Sequence, residues 1–281
     1  MPTLPAATSM GPVELAVRDA DDVLSFYLDV VGLTVLERAS YRVDLGAGDR
    51  VLVRLHEDGT KAPRPASAAG LFHLALRVPD RSHLARAARR LRGAGRLRGA
   101  SDHLVSEALY SRDPDGNGVE IYHDRPRENW RRSADGGVRL PTWPLDVEAL
   151  EAAASDPAGA LPAGTRVGHV HLEVTDLQAA EAFYVDSLGF EVAYRAPRAL
   201  FAAAGGYHHH LGLNTWNGRT ERTSGRGLER FHVVLPAPAD VDRLAARLAD
   251  HPGLVGRPGD ELVLRDRDGI EVVVAVDGQG L

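Results

Sequence analysis

Alternating hydrophobic and polar residues mark the starts of two similar segments in this chain. Residues 13–19 alternate and end at an acid, and residues 169–176 do the same. Each stretch is followed by apolar residues at helical spacing that include a Phe-Tyr pair, at 26–27 and 183–184, and then by a Gly-containing turn. A period of two predicts a strand and a period near 3.6 predicts an amphipathic helix. Both segments therefore predict a strand, a helix and further strands.

Two weaker copies of this unit follow the same order. Residues 72–79 lead into a predicted helix at 81–92, and residues 231–236 lead into one at 239–249. Each copy ends in a strand that follows a turn signal of the Asp-Gly or Asn-Gly type. The repeat predicts an α+β fold of four βαβββ modules. The modules occupy residues 11–57, 70–126, 166–218 and 228–277.

The segment between the second and third modules breaks the repeat. It is rich in Pro, contains a Gly-Gly pair, and carries one short predicted helix at 145–154. We therefore expect an N-terminal domain at 1–127, a linker at 128–165 and a C-terminal domain at 166–281.

Composition narrows the chemistry that is open to this chain. Its 281 residues are 44% hydrophobic and 26% charged, as in an ordinary globular protein, and a net charge of −6 argues against a nucleic-acid partner. There is no Cys, so a metal site must use His, Asp, Glu, Tyr or backbone ligands. No apolar stretch approaches the roughly 20 residues of a membrane span, and residues 1–10 lack the pattern of a secretory signal. We therefore expect a cytoplasmic protein without a membrane partner.

Three longer motifs, at 102–122, 168–171 and 204–216, carry a resemblance to a known family. Together with the repeated order of strand, Asp and Phe-Tyr helix, they make the chain resemble the vicinal-oxygen-chelate superfamily of glyoxalases, bleomycin-resistance proteins and extradiol dioxygenases. Within that superfamily the chain is similar to two-domain bacterial catechol 2,3-dioxygenases. The resemblance covers nearly the whole chain and implies that the modules form two glyoxalase-like barrels.

The resemblance also implies that the first strand of a module presents a ligand position toward the barrel interior. Counting back from the residue that ends each strand places this position at Pro12, His73, His169 and Arg230. The last strand offers a second position, which is Glu120 in the second module and Glu271 in the fourth.

Two His and one carboxylate with open positions are typical of a non-haem iron site. The second and third modules together supply this set, so we expect His73, His169 and Glu120 to hold one divalent metal ion. The first and fourth modules would then form a metal-free barrel. The alternative is that consecutive modules pair, which would put a metal on His169, one of residues 208–210 and Glu271.

Further polar residues are candidates for handling protons near the metal. The resemblance implies that Tyr110 hydrogen-bonds the substrate beside the metal and that His103 acts as an acid/base or supports a ligand. Residues 208–210 are three consecutive His, which cannot all face one way in a strand. Our candidates there are His208 and His210, and the choice among the three stays open.

One further His leaves the ligand set open. His171 shares a strand face with His169, two residues on, and is therefore an alternative ligand or a residue that lines the pocket.

The function that the resemblance implies is a non-haem Fe(II)-dependent extradiol dioxygenase, which opens the ring of a small catechol-like substrate with O₂. Mn(II) or another divalent ion is the alternative cofactor. Association into a homo-oligomer through sheet edges is common in the superfamily and stays open. One alternative function is a glyoxalase-like isomerase or lyase, or a thiol transferase, with a metal on two His and two Glu. The other is a metal-free drug-binding resistance protein.

Overall fold

A computed structural model describes residues 3–132, 137–154 and 159–277. Each predicted module folds as one strand, one helix and three further strands. The first module consists of β1 (Ser9–Val17), α1 (Ala20–Ser25) with a π-helical continuation (Phe26–Val31), β2 (Thr34–Ala39), β3 (Arg42–Ala47) and β4 (Arg50–Glu57). The second consists of β5 (Gly70–Arg77), α2 (Arg81–Gly93), β6 (Gly99–Asp102), β7 (Ser106–Arg112) and β8 (Gly118–Asp124).

The second half of the chain repeats this order after a connecting segment. The connector contains a 3₁₀ turn (Arg127–Asn129), β9 (Trp143–Pro144) and α3 (Val147–Glu151). The third module consists of β10 (Arg166–Glu173), α4 (Leu177–Glu181) with a π-helical continuation (Ala182–Ser187), β11 (Glu191–Ala196), β12 (Ala199–Ala203) and β13 (Leu211–Asn214). The fourth consists of β14 (Gly227–Leu235), α5 (Pro238–Arg247), β15 (Leu254–Gly256), β16 (Leu262–Arg265) and β17 (Glu271–Val276). The predicted α+β fold of four βαβββ modules is confirmed.

The modules pair out of sequence order. One sheet has the order β15-β16-β17-β14-β1-β4-β3-β2 and joins the first and fourth modules; we call it the 1/4 sheet. The other has the order β11-β12-β13-β10-β5-β8-β7-β6-β9 and joins the second and third modules; we call it the 2/3 sheet. The favoured pairing is therefore confirmed, and the alternative pairing of consecutive modules is wrong.

The register between paired modules is that of a local two-fold axis. In the 2/3 sheet His73 lies opposite His171, and His169 lies opposite Ala75, so each predicted ligand position faces the residue two places after the other. In the 1/4 sheet Arg230 lies opposite Glu14, which is two places after Pro12. The count from the strand ends therefore identified equivalent positions in the two sheets.

The acid that ends the first strand of three modules is a helix cap. Asp19, Asp80 and Asp176 each accept hydrogen bonds from two backbone N–H groups of the helix that follows. Such a cap satisfies donors that have no partner inside the helix and fixes where the helix begins. The acid in the repeated strand-acid-helix pattern is therefore a helix N-cap. Capping is a local requirement, so the sequence alone can reveal it.

The two Phe-Tyr pairs belong to the core, as predicted. Tyr27 and Tyr184 are fully buried. Tyr27 Oη donates to Asp113 Oδ2 at 3.1 Å, and Tyr184 Oη donates to Asp266 Oδ2 at 2.9 Å. These bonds join the first module to the second and the third to the fourth. They therefore tie together the two sheets, which are built from the other combinations of modules.

The connector packs against the second module. Its strand β9 extends the 2/3 sheet by pairing with β6, and Trp130 is buried beside Val105 and Tyr207. The helix predicted at 145–154 is present but shorter, because it begins after the N-cap Asp146 and ends at Glu151. Residues 155–158 of the predicted linker lie outside the described part of the chain. None of the described helices is long and apolar enough to cross a membrane.

Candidate metal centre

One row of residues runs straight across the 2/3 sheet and defines the candidate site. His169 on β10 lies opposite Ala75 on β5, and Ala75 lies opposite Glu120 on β8. Glu120 in turn lies opposite Tyr110 on β7. Residues paired across neighbouring strands project from the same face of a sheet. The small Ala75 side chain leaves space between His169 and Glu120, which His73 enters from two places earlier on β5.

The three predicted ligands converge in this row. His73 Nε2 lies 2.9 Å from Glu120 Oε2, and His169 Nε2 lies 3.2 Å from the same oxygen. The two Nε2 atoms are 3.3 Å apart. The residues His73, Glu120 and His169 are 7%, 3% and 1% exposed, so the cluster is almost completely shielded from solvent. In the described part of the chain, this is the one group of three or more His and acidic residues whose ligand atoms all lie within 4.8 Å of one another.

These distances fit a small divalent cation. Ligand atoms in adjacent positions around an ion, each about 2.1 Å from it, are about 3 Å apart. Hydrogen bonding alone satisfies the cluster poorly. If both Nε2 atoms carried protons to donate to Glu120, two N–H groups would point at each other across 3.3 Å. A cation removes this conflict because it binds the lone pair of each imidazole and balances the carboxylate.

The electrostatics of the cluster agree with a set of metal ligands. Burial lowers the pKa of His169 to about 4, so this ring is neutral at pH 7 and offers a lone pair. Burial by itself would raise the pKa of Glu120, but the charges and hydrogen bonds of His169 and His73 hold that pKa well below its ordinary value. Neutral imidazole and ionised carboxylate are the forms that bind metals.

Packing orients the His169 ring. Its centroid lies 4.1 Å from that of His209 and 5.0 Å from that of Tyr122. Gly168 makes the second contact feasible, because a Cβ at this position would fall 1.8 Å from Tyr122 Oη. Among the described residues, His169 Nδ1 has no hydrogen-bond partner, so ring contacts and the strand backbone hold this side chain.

Tyr110 and His103 form a hydrogen-bonded pair beside Glu120. His103 Nδ1 donates to the carbonyl oxygen of Pro141 at 2.8 Å, since a carbonyl can only accept. A neutral ring then carries a lone pair on Nε2, which accepts from Tyr110 Oη at 2.8 Å. Burial and the negative charge of Glu120 raise the pKa of Tyr110 well above its usual value, so its hydroxyl keeps its proton. Pro141 belongs to the connector, which therefore helps to build the site.

The three consecutive His residues lie in an irregular segment between β12 and β13. His208 Nε2 donates to Asp124 Oδ1 at 2.8 Å, and His208 Nδ1 is 2.8 Å from His209 Nδ1. In the tautomer in which His208 donates through Nε2 alone, its Nδ1 accepts, and His209 is the donor there. Burial lowers the pKa of His209 well below its ordinary value, so its ring is neutral with the lone pair on Nε2. His208 and His209 both line the cavity that contains the predicted ligands.

His210 lies away from the predicted metal ligands. Its Nδ1 accepts from the backbone N–H of Ala204 at 3.1 Å, and its ring lines a different cavity. The rule of strand alternation would have put His208 and His210 on one face. It does not hold because the regular strand β13 begins only at Leu211. The structure therefore brings His209, which our candidates did not include, toward the predicted ligand His169 in place of His210.

His171 lines the same cavity as the predicted ligands, but it is not one of the three residues whose ligand atoms converge. Its ring lies 4.9 Å from that of His73 and 5.2 Å from the ring of Trp216. Within the described residues its Nε2 is buried without a partner, and burial lowers its pKa well below the ordinary value. His171 is therefore a neutral, mostly apolar wall of the cavity.

The cavity has a volume of about 290 Å³ and aromatic walls. Phe72, Phe201 and Trp216 line it, together with Leu140 of the connector. The described residues that line this cavity include one acidic residue, Glu120, and no Lys or Arg. Phe72 directly precedes the predicted ligand His73, and Trp216 is the last residue of the motif at 204–216. Phe201 gave no signal in the sequence, since only the pairing of β12 with β13 brings it here.

The matching region of the 1/4 sheet holds a network of charged side chains. Glu14 Oε1 accepts from His232 Nε2 at 2.8 Å and from Arg54 Nη1 at 3.1 Å, and Glu14 Oε2 is 2.6 Å from His56 Nε2. Both carboxylate oxygens are therefore already paired, one of them with a fixed positive charge. These side chains therefore pair with one another in the 1/4 sheet.

Glu271 is part of a second set of ion pairs in the 1/4 sheet. Its Oε1 lies 2.9 Å from Arg230 Nη2 and its Oε2 lies 2.8 Å from Arg265 Nη2. His169 belongs to the other sheet. The alternative metal site on His169, Glu271 and one of residues 208–210 is therefore not assembled.

Comparisons with known proteins agree with this architecture. The sequence model of the Glyoxalase/Bleomycin resistance protein/Dioxygenase superfamily matches residues 9–121 and 166–274. A catechol-2,3-dioxygenase of Bacillus subtilis is 43% identical over 249 residues, which cover 86% of this chain and 87% of that protein.

Solved structures match the fold at low sequence identity. The crystal structure of a candidate dioxygenase from Bacillus subtilis superposes with a TM-score of 0.71 at 13% identity, covering 99% of this chain and 87% of that one. Glyoxalase I from Zea mays gives a TM-score of 0.58 at 17% identity, covering 96% and 92%. At such low sequence identities, these structures support the fold assignment and no assignment of function. The four-module architecture, the extent of the sequence match and the close relative together establish that the chain belongs to the Glyoxalase/Bleomycin resistance protein/Dioxygenase superfamily.

Proposed function

We propose that this protein is an Fe(II)-dependent extradiol dioxygenase that cleaves the ring of a catechol with O₂. The observation that carries the proposal is the convergence of His73, His169 and Glu120 within one cavity whose wall includes the Tyr110–His103 pair. The 43% identity to a catechol-2,3-dioxygenase over most of both chains supports the same reaction. The resemblance to extradiol enzymes favours Fe(II) over Mn(II), and two imidazoles with one carboxylate suit either ion.

The metal would be held by His73, His169 and Glu120. When bound, such an ion supplies a charge that favours the deprotonated form of a chelating hydroxyl and a centre at which a diol and O₂ can meet. The protein contributes a dry and preorganised surround, since all three ligands are nearly fully buried. Aromatic walls exclude water from the reacting atoms, which strengthens every electrostatic interaction in the cavity.

Proton handling is assigned to two groups on different elements. Tyr110 Oη holds a proton that it donates to His103 Nε2, and it can turn that hydrogen bond toward a substrate oxygen beside Glu120. His209 Nε2 offers a lone pair that can accept the proton of a substrate hydroxyl. The bond from His208 to Asp124 fixes the orientation of His208, which in turn holds the His209 ring. His208 thus acts as a positioning residue for His209.

The cavity favours an uncharged catechol. Aromatic rings surround the space, and the described residues that line it include no Lys or Arg to pair with a substrate carboxylate. A charged substituent would lose its hydration there without gaining a partner, which is costly. Catechol and its methyl derivative should therefore be better substrates than protocatechuate, which carries a carboxylate.

A glyoxalase-like metal site would require a second carboxylate ligand. The converging group in the described part of the chain contains one carboxylate, Glu120. Tyr110 and His103 fill the neighbouring side of the site. This arrangement supports ring cleavage in preference to isomerisation.

Anaerobic purification followed by metal analysis tests the proposal. The protein should contain about one iron per chain after Fe(II) reconstitution, and adding catechol and air should consume O₂ and produce a yellow ring-opened product. Protocatechuate, offered under the same conditions, should react more slowly than catechol and methylcatechol. Iron-loaded protein that leaves all three compounds and O₂ unchanged would refute the dioxygenase proposal. Preference for protocatechuate would refute the substrate class alone.

A further inference from the structure

A second cavity of about 270 Å³ lies at the seam between the two sheets. It is lined by the start of β1, the start of β10 and the loop that carries His210. Four arginines line it: Arg50, Arg77, Arg127 and Arg166. The described residues that line the cavity include one acidic residue, Asp277. The lining is therefore strongly positive in a protein whose net charge is −6.

Two of the four arginines have carboxylate partners. Arg50 Nη1 and Nη2 donate to the two oxygens of Asp277 at 3.0 and 3.2 Å. Arg77 Nη1 donates to Asp124 Oδ2 at 3.3 Å. Each pair balances one positive charge, so these two side chains do not by themselves require a ligand.

The other two arginines hydrogen-bond main-chain oxygens rather than carboxylates, and the guanidinium of Arg127 also lies 5.4 Å from the ring centroid of Trp130 and 5.5 Å from that of Tyr207. Arg127 Nη1 donates to the carbonyl of Gly205 at 3.2 Å, and Arg166 Nη1 donates to the carbonyls of Ala163 and Thr165, both at 2.8 Å. Across residues 3–132, 137–154 and 159–277, neither guanidinium lies within 4.0 Å of a carboxylate. Burial, followed by the charges of Arg50 and Arg77, lowers the pKa of Arg166, and these effects outweigh the opposing charges of Asp277 and Asp49.

Neutral donors complete the lining. His210 Nδ1 accepts from a backbone N–H, and burial lowers the pKa of His210 to about 3, so its neutral ring carries the proton on Nε2. Thr8 is 4% exposed, and within the described residues its Oγ1 has no hydrogen-bond partner. A buried hydroxyl without a partner is unfavourable unless a ligand or water supplies one.

We propose that this cavity is a binding site for a small oxyanion, either a phosphate or a dicarboxylate, held by Arg127 and Arg166. Guanidinium groups recognise both kinds of oxyanion through paired N–H donors. Thr8 and Arg50 belong to the 1/4 half of the protein, and Arg77 and Arg166 belong to the 2/3 sheet. An anion bound here therefore bridges the two halves and stabilises the folded chain. The site is separate from the metal ligands and does not rest on the ring-cleavage proposal.

Calorimetric titration tests the site in two arms, one with inorganic phosphate and one with succinate, both at constant ionic strength. We expect saturable binding in at least one arm, and the arm with tighter binding identifies the class of oxyanion. Arg166→Gln and Arg127→Gln should each raise the dissociation constant at least about tenfold, since each removes a charged donor. Arg267→Gln is the matched control, because Arg267 is an exposed arginine paired with Asp176 away from the cavity.

Melting temperature provides the second measurement. The ligand that binds should raise the melting temperature of the full chain, and this rise should shrink in both cavity variants but not in the control. If Arg166→Gln lowers stability without any anion, Arg127→Gln carries the test, since Arg127 is exposed at the rim. The proposal is overturned by an absence of saturable binding in both arms. Equal affinities in the wild type and the Arg127→Gln variant would overturn it as well.

Discussion

Tyr110 Oη donates a 2.8 Å hydrogen bond to His103 Nε2, and the tautomer of His103 is set by a connector residue, Pro141. This bond leaves the Tyr110 proton inside the cavity, next to the cross-strand neighbour Glu120. Unlike the core residues Tyr27 and Tyr184, which donate to carboxylates away from this cavity, Tyr110 lines the cavity beside the predicted metal ligands. The pair is therefore the part of the site with the clearest link to proton movement.

Replacing Tyr110 with Phe should lower kcat for catechol by about 100-fold, a magnitude typical of a lost proton donor. Iron content should stay unchanged because the three ligand atoms remain. Steady-state O₂ uptake and metal analysis measure the two effects. Tyr41→Phe is the control, since Tyr41 is 76% exposed and distant from the site. A Tyr110→Phe enzyme with wild-type kcat would show that this hydroxyl has no part in the reaction.

Removing one carboxylate should decide which barrel holds the metal. We expect Glu120→Ala to weaken iron binding by more than about 100-fold, because it removes a ligand rather than a residue that supports one. Glu271→Ala should retain about one iron per chain, although it leaves Arg230 and Arg265 unpaired and lowers stability. Metal analysis after gel filtration measures both. Iron loss in the Glu271 variant with retention in the Glu120 variant would reverse the assignment.

His209 is expected to matter for turnover and not for metal binding. His209→Asn removes the Nε2 lone pair that lines the cavity, and we expect kcat to fall by about 100-fold with iron retained. His251→Asn is the matched control, since its ring contacts Ser187 on the far side of the fold. If the His209 variant turned over at the wild-type rate, His209 would have no role in proton transfer, and Tyr110 and His103 would be the remaining candidates.

The charged network of the 1/4 sheet should contribute stability that depends on pH. Burial alone would raise the pKa of Glu14, but hydrogen bonds from His232 and His56 and the charge of Arg54 hold it far below its ordinary value of 4.5. A depressed pKa in the folded state contributes stability above pH 4.5, and this contribution is lost as the pH falls below that value.

Glu14→Gln should therefore destabilise the protein by about 2–3 kcal/mol at pH 7, and by less as the pH is lowered below 4.5. Urea denaturation of wild type and variant at pH 7, 5 and about 3 measures the difference. Iron content should be equal in the two proteins, since Glu14 lies in a different sheet from the proposed metal ligands. A difference in stability that is constant over this pH range would contradict the role of the ionised carboxylate.

Much of this protein is determined locally and was predictable from the order of residues. Strand alternation, helical spacing and the capping acids Asp19, Asp80 and Asp176 depend on neighbours a few positions apart. Repetition of that local code identified four modules. Counting within it placed His73 and His169 at equivalent positions, and the register of β5 with β10 agrees with that equivalence.

Contacts between distant segments were decided only by the folded chain. Which modules share a sheet depends on long-range strand pairing, and that pairing brought His169 to Glu120 while leaving Glu271 with arginines. The choice of His209 over His210 followed from an irregular segment before β13, where the alternation rule fails. Pro141 reached His103 because the connector folds back along β6, which its Pro-rich composition did not reveal. Local rules specify elements and their faces, whereas the packing of all elements together selects the side chains that meet.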